Sequence, residues 1–270
     1  MARIVPLWSS PEIQVYRFDH PVEHEDQPYV EVAEAFRASF VEAGAFNLEI
    51  DEARWAVASG DVMLSHPGMR FRAGFQGSGF NDTCLSITYE AANDDRHDPG
   101  PAWAKTGRPV LRASNRLGYL RWGLRRVVET DDAMLAEYCA SVIFGPAPDG
   151  EPAPLFSHRT FGWYAERVHH IRSRLDREFT AELSVSELAR SVGMSMFHFT
   201  RVFTELVGTP PHRYRLFARL KAAREMLRQG RSVTETCYAC GFNNLSHFSR
   251  SFARWHGTAP SRLETQSLNP

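Results

Sequence analysis

Along the first hundred or so residues, apolar and polar positions alternate in short runs, the two-residue period of half-buried strands. Ala45-Phe46-Asn47-Leu48-Glu49-Ile50 alternates, meets the turn pair Asp51-Glu52, and is followed by Trp55-Ala56-Val57. Gly60-Asp61 precedes Val62-Met63-Leu64, Pro67-Gly68 ends that run, and Cys84-Leu85-Ser86-Ile87-Thr88-Tyr89 predicts a further strand. From Ser114 the period lengthens. Leu117, Leu120, Leu124, Val127 and Val128 recur at three and four residues, and Leu135, Tyr138, Cys139 and Val142 do so after Asp131-Asp132. Two amphipathic helices are predicted, near 115–128 and 132–144, each with an apolar stripe that needs a partner surface.

The stretch from Gly145 to Pro154 packs four prolines and two glycines into ten residues, which suits neither a helix nor a central strand and predicts a linker. Beyond it every segment reads helical: 168–175, 186–191, 195–207, a long run at 213–228, 234–240 and 244–255. Ser186, Ser195 and Asn243 are candidate N-caps, and glycines at 193, 208, 230, 241 and 257 stand where helices end. The expected division is a body at 1–150, a linker at 151–164 and a helical domain at 165–270.

Composition narrows the class. The 270 residues are 43% hydrophobic and 23% charged, a globular balance that excludes a mostly disordered chain. No apolar run approaches the roughly 18 residues of a membrane span, and the start lacks the pattern of a secretory signal. Four cysteines are too few for a disulfide scaffold and predict reduced thiols in a cytoplasm. Charge is polarised. Residues 1–150 hold 14 Lys+Arg against 22 Asp+Glu, a net −8; residues 151–270 hold 17 against 10, a net +7. That split is expected where one part meets a polyanion and the other does not.

The basic half repeats itself. Ser184, Val185, Glu187 and Gly193 match Ser232, Val233, Glu235 and Gly241 at an offset of 48. His198, Phe199, Arg201, Phe203, Gly208, Thr209 and Pro211 match His247, Phe248, Arg250, Phe252, Gly257, Thr258 and Pro260 at 49. Each copy is a short helix, a glycine-containing turn and a longer helix, the layout whose second helix enters the major groove of DNA. Phe199 with Phe203, and Phe248 with Phe252, lie four apart and predict the buried face. Arg201 and Arg250 fall on another face beside Phe197, Thr200, Ser246 and Ser249, and an arginine can bond a guanine edge at two atoms. The competing explanation is a plain helical bundle with a solvated face; two copies with arginine at the same point favour DNA.

Residues 165–264 resemble the DNA-binding domain of the AraC/XylS family of bacterial transcription regulators. The resemblance is carried by Leu188-Ala189-Arg190-Ser191-Val192-Gly193-Met194-Ser195, by His198-Phe199-Thr200-Arg201-Val202-Phe203 and by Gly208 to Arg215. Ala239-Cys240-Gly241-Phe242 and His247-Phe248-Ser249-Arg250-Ser251-Phe252 carry it further. The resemblance implies two motifs joined by a long helix and reading neighbouring major grooves. It implies base contacts from Met196, Phe197, Thr200, Arg201, Asn244, Leu245, Ser246, Ser249 and Arg250; Arg213, at a helix start, is expected to grip phosphate. Two departures stand out: Thr236-Cys237 where the family has an aliphatic residue and alanine, and Ser261-Arg262-Leu263-Glu264 in place of a closing Tyr-Arg. Upstream, Gly44 to Trp55 and Gly60 to Gly68 look like the turn region of a cupin-type barrel, a fold that can hold one ligand.

The expected fold class is therefore α+β, with an N-terminal β-rich cupin-like barrel and two helices, then an all-α domain with two helix-turn-helix motifs. Residues 1–150 are expected to sense an effector or dimerise, and 165–270 to bind DNA. The implied partners are double-stranded promoter DNA, a second copy of the chain, RNA polymerase if the protein activates, and a small-molecule effector; no membrane, cofactor or metal is expected. The competing class is a metal-dependent cupin enzyme fused to a DNA-binding domain. It needs a ligand cluster, and the N-terminal half offers only His20, His24, His66 and His97, with Glu23 and Glu25 nearby. Cys237 and Cys240 have a C-x-x-C spacing but lie within a predicted helix with no second pair, so buried structural thiols are expected. Phe46, Trp55, Phe71, Phe75, Phe80 and Tyr89 suit a ligand pocket and a barrel core equally. The glycines between 74 and 79 lack a phosphate-loop context and predict only a loop.

Overall fold

A computed structural model describes residues 3–19, 30–74, 82–89, 108–145 and 155–267, with side chains omitted at 158 and 264–267. His20, Glu23, His24, Glu25, Phe75, Phe80, His97, the loop after Gly74 and most of the Pro/Gly-rich stretch lie outside these residues. The chain divides into two units, Met1–Phe156 and Ser157–Pro270.

The first unit orders its strands as β1 (Arg3–Ser9), β2 (Ile13–Asp19), β3 (Glu31–Val32), β4 (Phe36–Ala43), β5 (Ala45–Ile50), β6 (Ala53–Ala58), β7 (Val62–Ser65), β8 (Arg70–Gly74), β9 (Thr83–Tyr89) and β10 (Val110–Leu111). They form two antiparallel sheets, β1-β2-β9-β4-β7-β10 and β3-β8-β5-β6. No pairing among the described residues joins one sheet to the other, so the described strands do not close the expected cupin-like barrel. Alternation sends Phe46 and Leu48 of β5, Val57 of β6 and Phe71 of β8 to one cluster, where they meet Val41, Met63 and Cys84 of the larger sheet. Fully burying each large apolar side chain stabilises by about 1.5–3 kcal/mol. The larger sheet is buried on both faces: along β9, Cys84 and Ser86 point one way while Leu85 and Ile87, also buried, point the other.

Two helices complete this unit, α1 (Asn115–Thr130) and α2 (Ala133–Ile143), capped by Ser114 and Asp132. They pack on each other and against β1 and β2. Leu117, Leu120, Leu124, Val127, Leu135, Tyr138 and Cys139 are all buried inside the unit. The apolar stripes thus find their partner surface within the same chain. Gly123 permits the close crossing, since a Cβ there would lie 3.0 Å from Cys139 Sγ.

The second unit is helical: α3 (His158–Arg177), α4 (Val185–Ser191), α5 (Met196–Val207), α6 (Pro211–Arg228), α7 (Val233–Ala239), α8 (Leu245–His256) and α9 (Pro260–Ser267). Helix α3 begins inside the 151–164 stretch read as linker, with the Ser157 side chain capping Thr160 N–H. Its buried positions Ala165, Val168, Ile171 and Leu175 form one stripe at helical spacing. Among the described residues no helix is long and apolar enough to cross a membrane.

Candidate nucleic-acid interface

The duplicated sequence folds into duplicated structure. Helices α4 and α7 each have seven residues, and each opens with a reciprocal capping box, Ser184 with Glu187 and Ser232 with Glu235. Ser184 and Asn244 are the N-caps where Ser186 and Asn243 were expected, whereas Ser195 caps α5 as expected. The turns between the paired helices use Gly193 and Gly241 at φ +69° and +74°, a region that disfavours any residue with a Cβ. Phe199, Phe203, Phe248 and Phe252 are fully buried and hold α5 and α8 against their neighbours.

Burying one face leaves the other in solvent. On α5, Phe197 is 82% exposed and Met196 57%, a large area of apolar surface held in water. Arg201 is exposed and has no hydrogen-bond or ion-pair partner among the described residues. The Thr200 hydroxyl donates to Met196 O at 2.8 Å, which leaves it free to accept. On α8, Leu245, Ser246 and Arg250 are exposed, Ser249 is half-buried, and Arg250 Nε donates to Ser246 O at 3.3 Å. Asn244 accepts from His247 N–H through Oδ1, so its amide donors are not used by the cap. Arg213 is exposed in the first turn of α6.

Other arginines point inward and were not separable from these by counting charge. Arg167 Nε donates to Val192 O in the first turn (3.1 Å), with its guanidinium 3.6 Å from the Trp163 ring centre. Arg219 donates to Gly241 O in the second turn (2.9 Å) and to Phe179 O (2.7 Å) and Thr180 O (3.3 Å). Arg215 donates to Leu183 O, one residue before the α4 cap. Arg172 is buried beside Asp176 at 3.1 Å, and Tyr214 Oη donates to the same carboxylate at 3.0 Å, joining α3 to α6. Burial pushes the Asp176 carboxyl up, with Arg172 and Tyr214 opposing it. The basic surplus is therefore divided between framework and outward surface.

Sequence reasoning missed these framework arginines and both capping boxes, although the Ser-x-x-Glu spacing signals the boxes. Cys237 and Cys240 are free, buried thiols in the core around Phe248 and Phe252. Burial pushes the Cys240 thiol up to about 11, and such a thiol is a poor nucleophile. Leu263 packs on that core within the departing closing segment. In the first unit, Phe46 and Phe71 both join the core and line the space between the sheets, Trp55 packs against the core, and Tyr89 lines an adjoining cleft.

Residues 188–266 match the family model described as a helix-turn-helix domain. The chain is 32% identical over 97 residues to the HTH-type transcriptional activator RhaS of Escherichia coli, covering 36% of this chain and 35% of that protein. It is 39% identical over 79 residues to the HTH-type transcriptional regulator Rv1931c of Mycobacterium tuberculosis, covering 29% and 30%. A solved AraC-type regulator from Chromobacterium violaceum overlaps 39% of this chain and 95% of its own, at 29% identity and a TM-score of 0.37. The match spans about a third of the curated relatives' own length.

Proposed function

We infer that this chain, whose C-terminal domain resembles that of the AraC/XylS family, is a sequence-specific DNA-binding transcription regulator. Helices α5 and α8 enter neighbouring major grooves and read base edges through Arg201 and Arg250, aided by Met196, Phe197, Thr200, Asn244, Leu245, Ser246 and Ser249. Arg213 grips a phosphate at the start of α6. The observation that carries this is the repeated unit itself: two capped helix pairs, each presenting an exposed arginine at the same point of its second helix. Residues 1–150 regulate, in a cupin-like pair of sheets that responds to an effector. The protein works in the cytoplasm as a homodimer and, where it activates, touches RNA polymerase.

The enzyme alternative is not favoured. What weighs against it is that the curated relatives matched by the C-terminal domain are named as transcription regulators; the candidate ligands His20, Glu23, His24, Glu25 and His97 lie outside the described residues. Selection from randomised duplex DNA with the full chain tests the proposal. It should enrich a site with two conserved clusters about one helical turn, roughly 10 bp, apart; recovery of random sequence refutes it. Light scattering of the full chain at micromolar concentration tests the homodimer, and a monomer mass contradicts it.

A further inference from the structure

Among the described residues, four large aromatic side chains stand open to solvent: Trp163, Phe197, Tyr238 and Trp255. Three of them are accounted for locally. The Arg167 guanidinium lies on Trp163, and Trp255 rests against Phe217 with ring centres 5.0 Å apart. Tyr238 ends in a hydroxyl that water satisfies. Phe197 has neither cover nor a polar end. It is the most exposed of the four, makes no ring contact among the described residues, and has exposed Met196 beside it. Apolar surface of this kind gains free energy when a partner takes it out of water.

The helix fixes where that surface sits. Ser195 caps α5, so Met196 and Phe197 are its first two residues. In a helix laid in the major groove, the N-terminal residues are the ones that meet base edges. At about 100° per residue, the order around the outward face is Met196, Thr200, Phe197, Arg201. Arg201 follows Phe197 by one turn, about 6 Å along the axis, and base pairs stack about 3.4 Å apart. Phe197 therefore falls within about two base pairs of whatever Arg201 contacts. The second motif differs at these positions. Helix α8 carries Leu245, Ser246, Ser249 and Arg250 there, without an aromatic ring. Leu245 is only 39% exposed, and Arg250 turns back to Ser246 O.

We propose that α5 selects thymine, by its C5 methyl group, which Phe197 and Met196 cover within about two base pairs of the base that Arg201 reads. This selection rests on the DNA-binding reading above and names the base group that the first motif takes. On the major-groove edge the thymine methyl is the one apolar group; every other group there donates or accepts a hydrogen bond. A phenyl ring laid on those others would leave their bonds unmade, so it disfavours the bases that carry them at that point. The net +7 of residues 151–270, with Arg201 one turn away on the same face, favours a DNA duplex over an apolar protein surface as the cover. Serine at 246, in place of the ring, confines the methyl contact to the first motif.

The test is titration of the full chain, followed by fluorescence anisotropy, onto a duplex recovered by selection from randomised DNA. Each thymine is replaced in turn by deoxyuridine, which removes the methyl group alone. The position whose preference Arg201→Ala erases marks the base under that arginine. A thymine should lie within about two base pairs of it, and its uracil form should bind about 3- to 10-fold more weakly, the value of one covered methyl group. Phe197→Ala should bind the thymine and uracil forms within about two-fold of each other. Because Phe197 is exposed, that variant keeps its fold, which circular dichroism checks. The absence of such a thymine, an unchanged affinity for its uracil form, or a thymine preference retained by Phe197→Ala overturns the assignment. Selection that recovers only random sequence overturns the DNA-binding reading and this inference with it. A recovered site whose uracil forms all bind like the parent overturns this inference alone.

Discussion

Replacing Arg219 with alanine removes one guanidinium that ties the end of α3 to the turn of the second helix-turn-helix. Its three acceptors are Phe179 O, Gly241 O and Thr180 O, at 2.7, 2.9 and 3.3 Å. A hydrogen bond from a charged donor nets about 1.5–3 kcal/mol. The three share one side chain, and water can replace the long bond at exposed Thr180, so the total should be about 2–3 kcal/mol. For a domain near 100 residues, each kcal/mol moves the melting temperature by roughly 4–8 °C, so a fall of about 10–20 °C is expected. Circular dichroism melting measures it. Arg219→Lys, which cannot span three carbonyls, should recover less than half of the loss. The turn itself is tight, for a Cβ added at Gly241 would lie 3.1 Å from Arg219 Nη2. A fall below about 2 °C in Arg219→Ala, or a lysine variant as stable as the parent, refutes the framework role.

Three further outcomes are expected. If the outward basic residues contact roughly 6–10 phosphates, DNA affinity should fall with a log–log salt slope near −5 to −9, and a nearly flat slope contradicts the proposed surface. Hydrogen bonds from Ser184 and Ser232 hold the Glu187 and Glu235 carboxyls below the usual 4.5. Their stabilisation is present above that value and lost as the pH falls through the lower folded values. A Glu187→Gln, Glu235→Gln double variant should therefore lose less melting temperature than the parent between about pH 5 and 3, and parallel acid limbs contradict this. Thr236 Oγ1 is buried with no hydrogen-bond partner among the described residues. Thr236→Val should stabilise by about 1 kcal/mol in chemical denaturation, and a destabilised variant contradicts that.

Legibility in the sequence followed periodicity. The strand at 45–50 was readable to the residue, and the long helix read at 213–228 begins two residues earlier, at Pro211, because proline at a helix start interrupts the apolar spacing without breaking the helix. The repeat made both α5 and α8 visible before any geometry. The order of the strands in the two sheets was not readable, because alternation reports which face a residue takes and not which strands pair. Helix α3 was begun too late because the proline-rich stretch just before it hid a start at Ser157. The internal arginines were illegible for a similar reason. Arg201 and Arg219 are the same residue type in the same basic half, and only the positions of distant carbonyls separate surface from framework.

On the proposed function, α5 and α8 read bases rather than merely hold the backbone. Quantitative binding of Arg201→Ala and Arg250→Ala to the selected site, to its single-base variants and to random duplex DNA tests it most directly. Each substitution should weaken the selected site by about 1–3 kcal/mol and erase preference at one position, the two positions lying about 10 bp apart, with random DNA much less affected. Arg213→Ala should weaken all sequences alike. Loss of selected and random DNA in equal proportion by both Arg201→Ala and Arg250→Ala would contradict base reading.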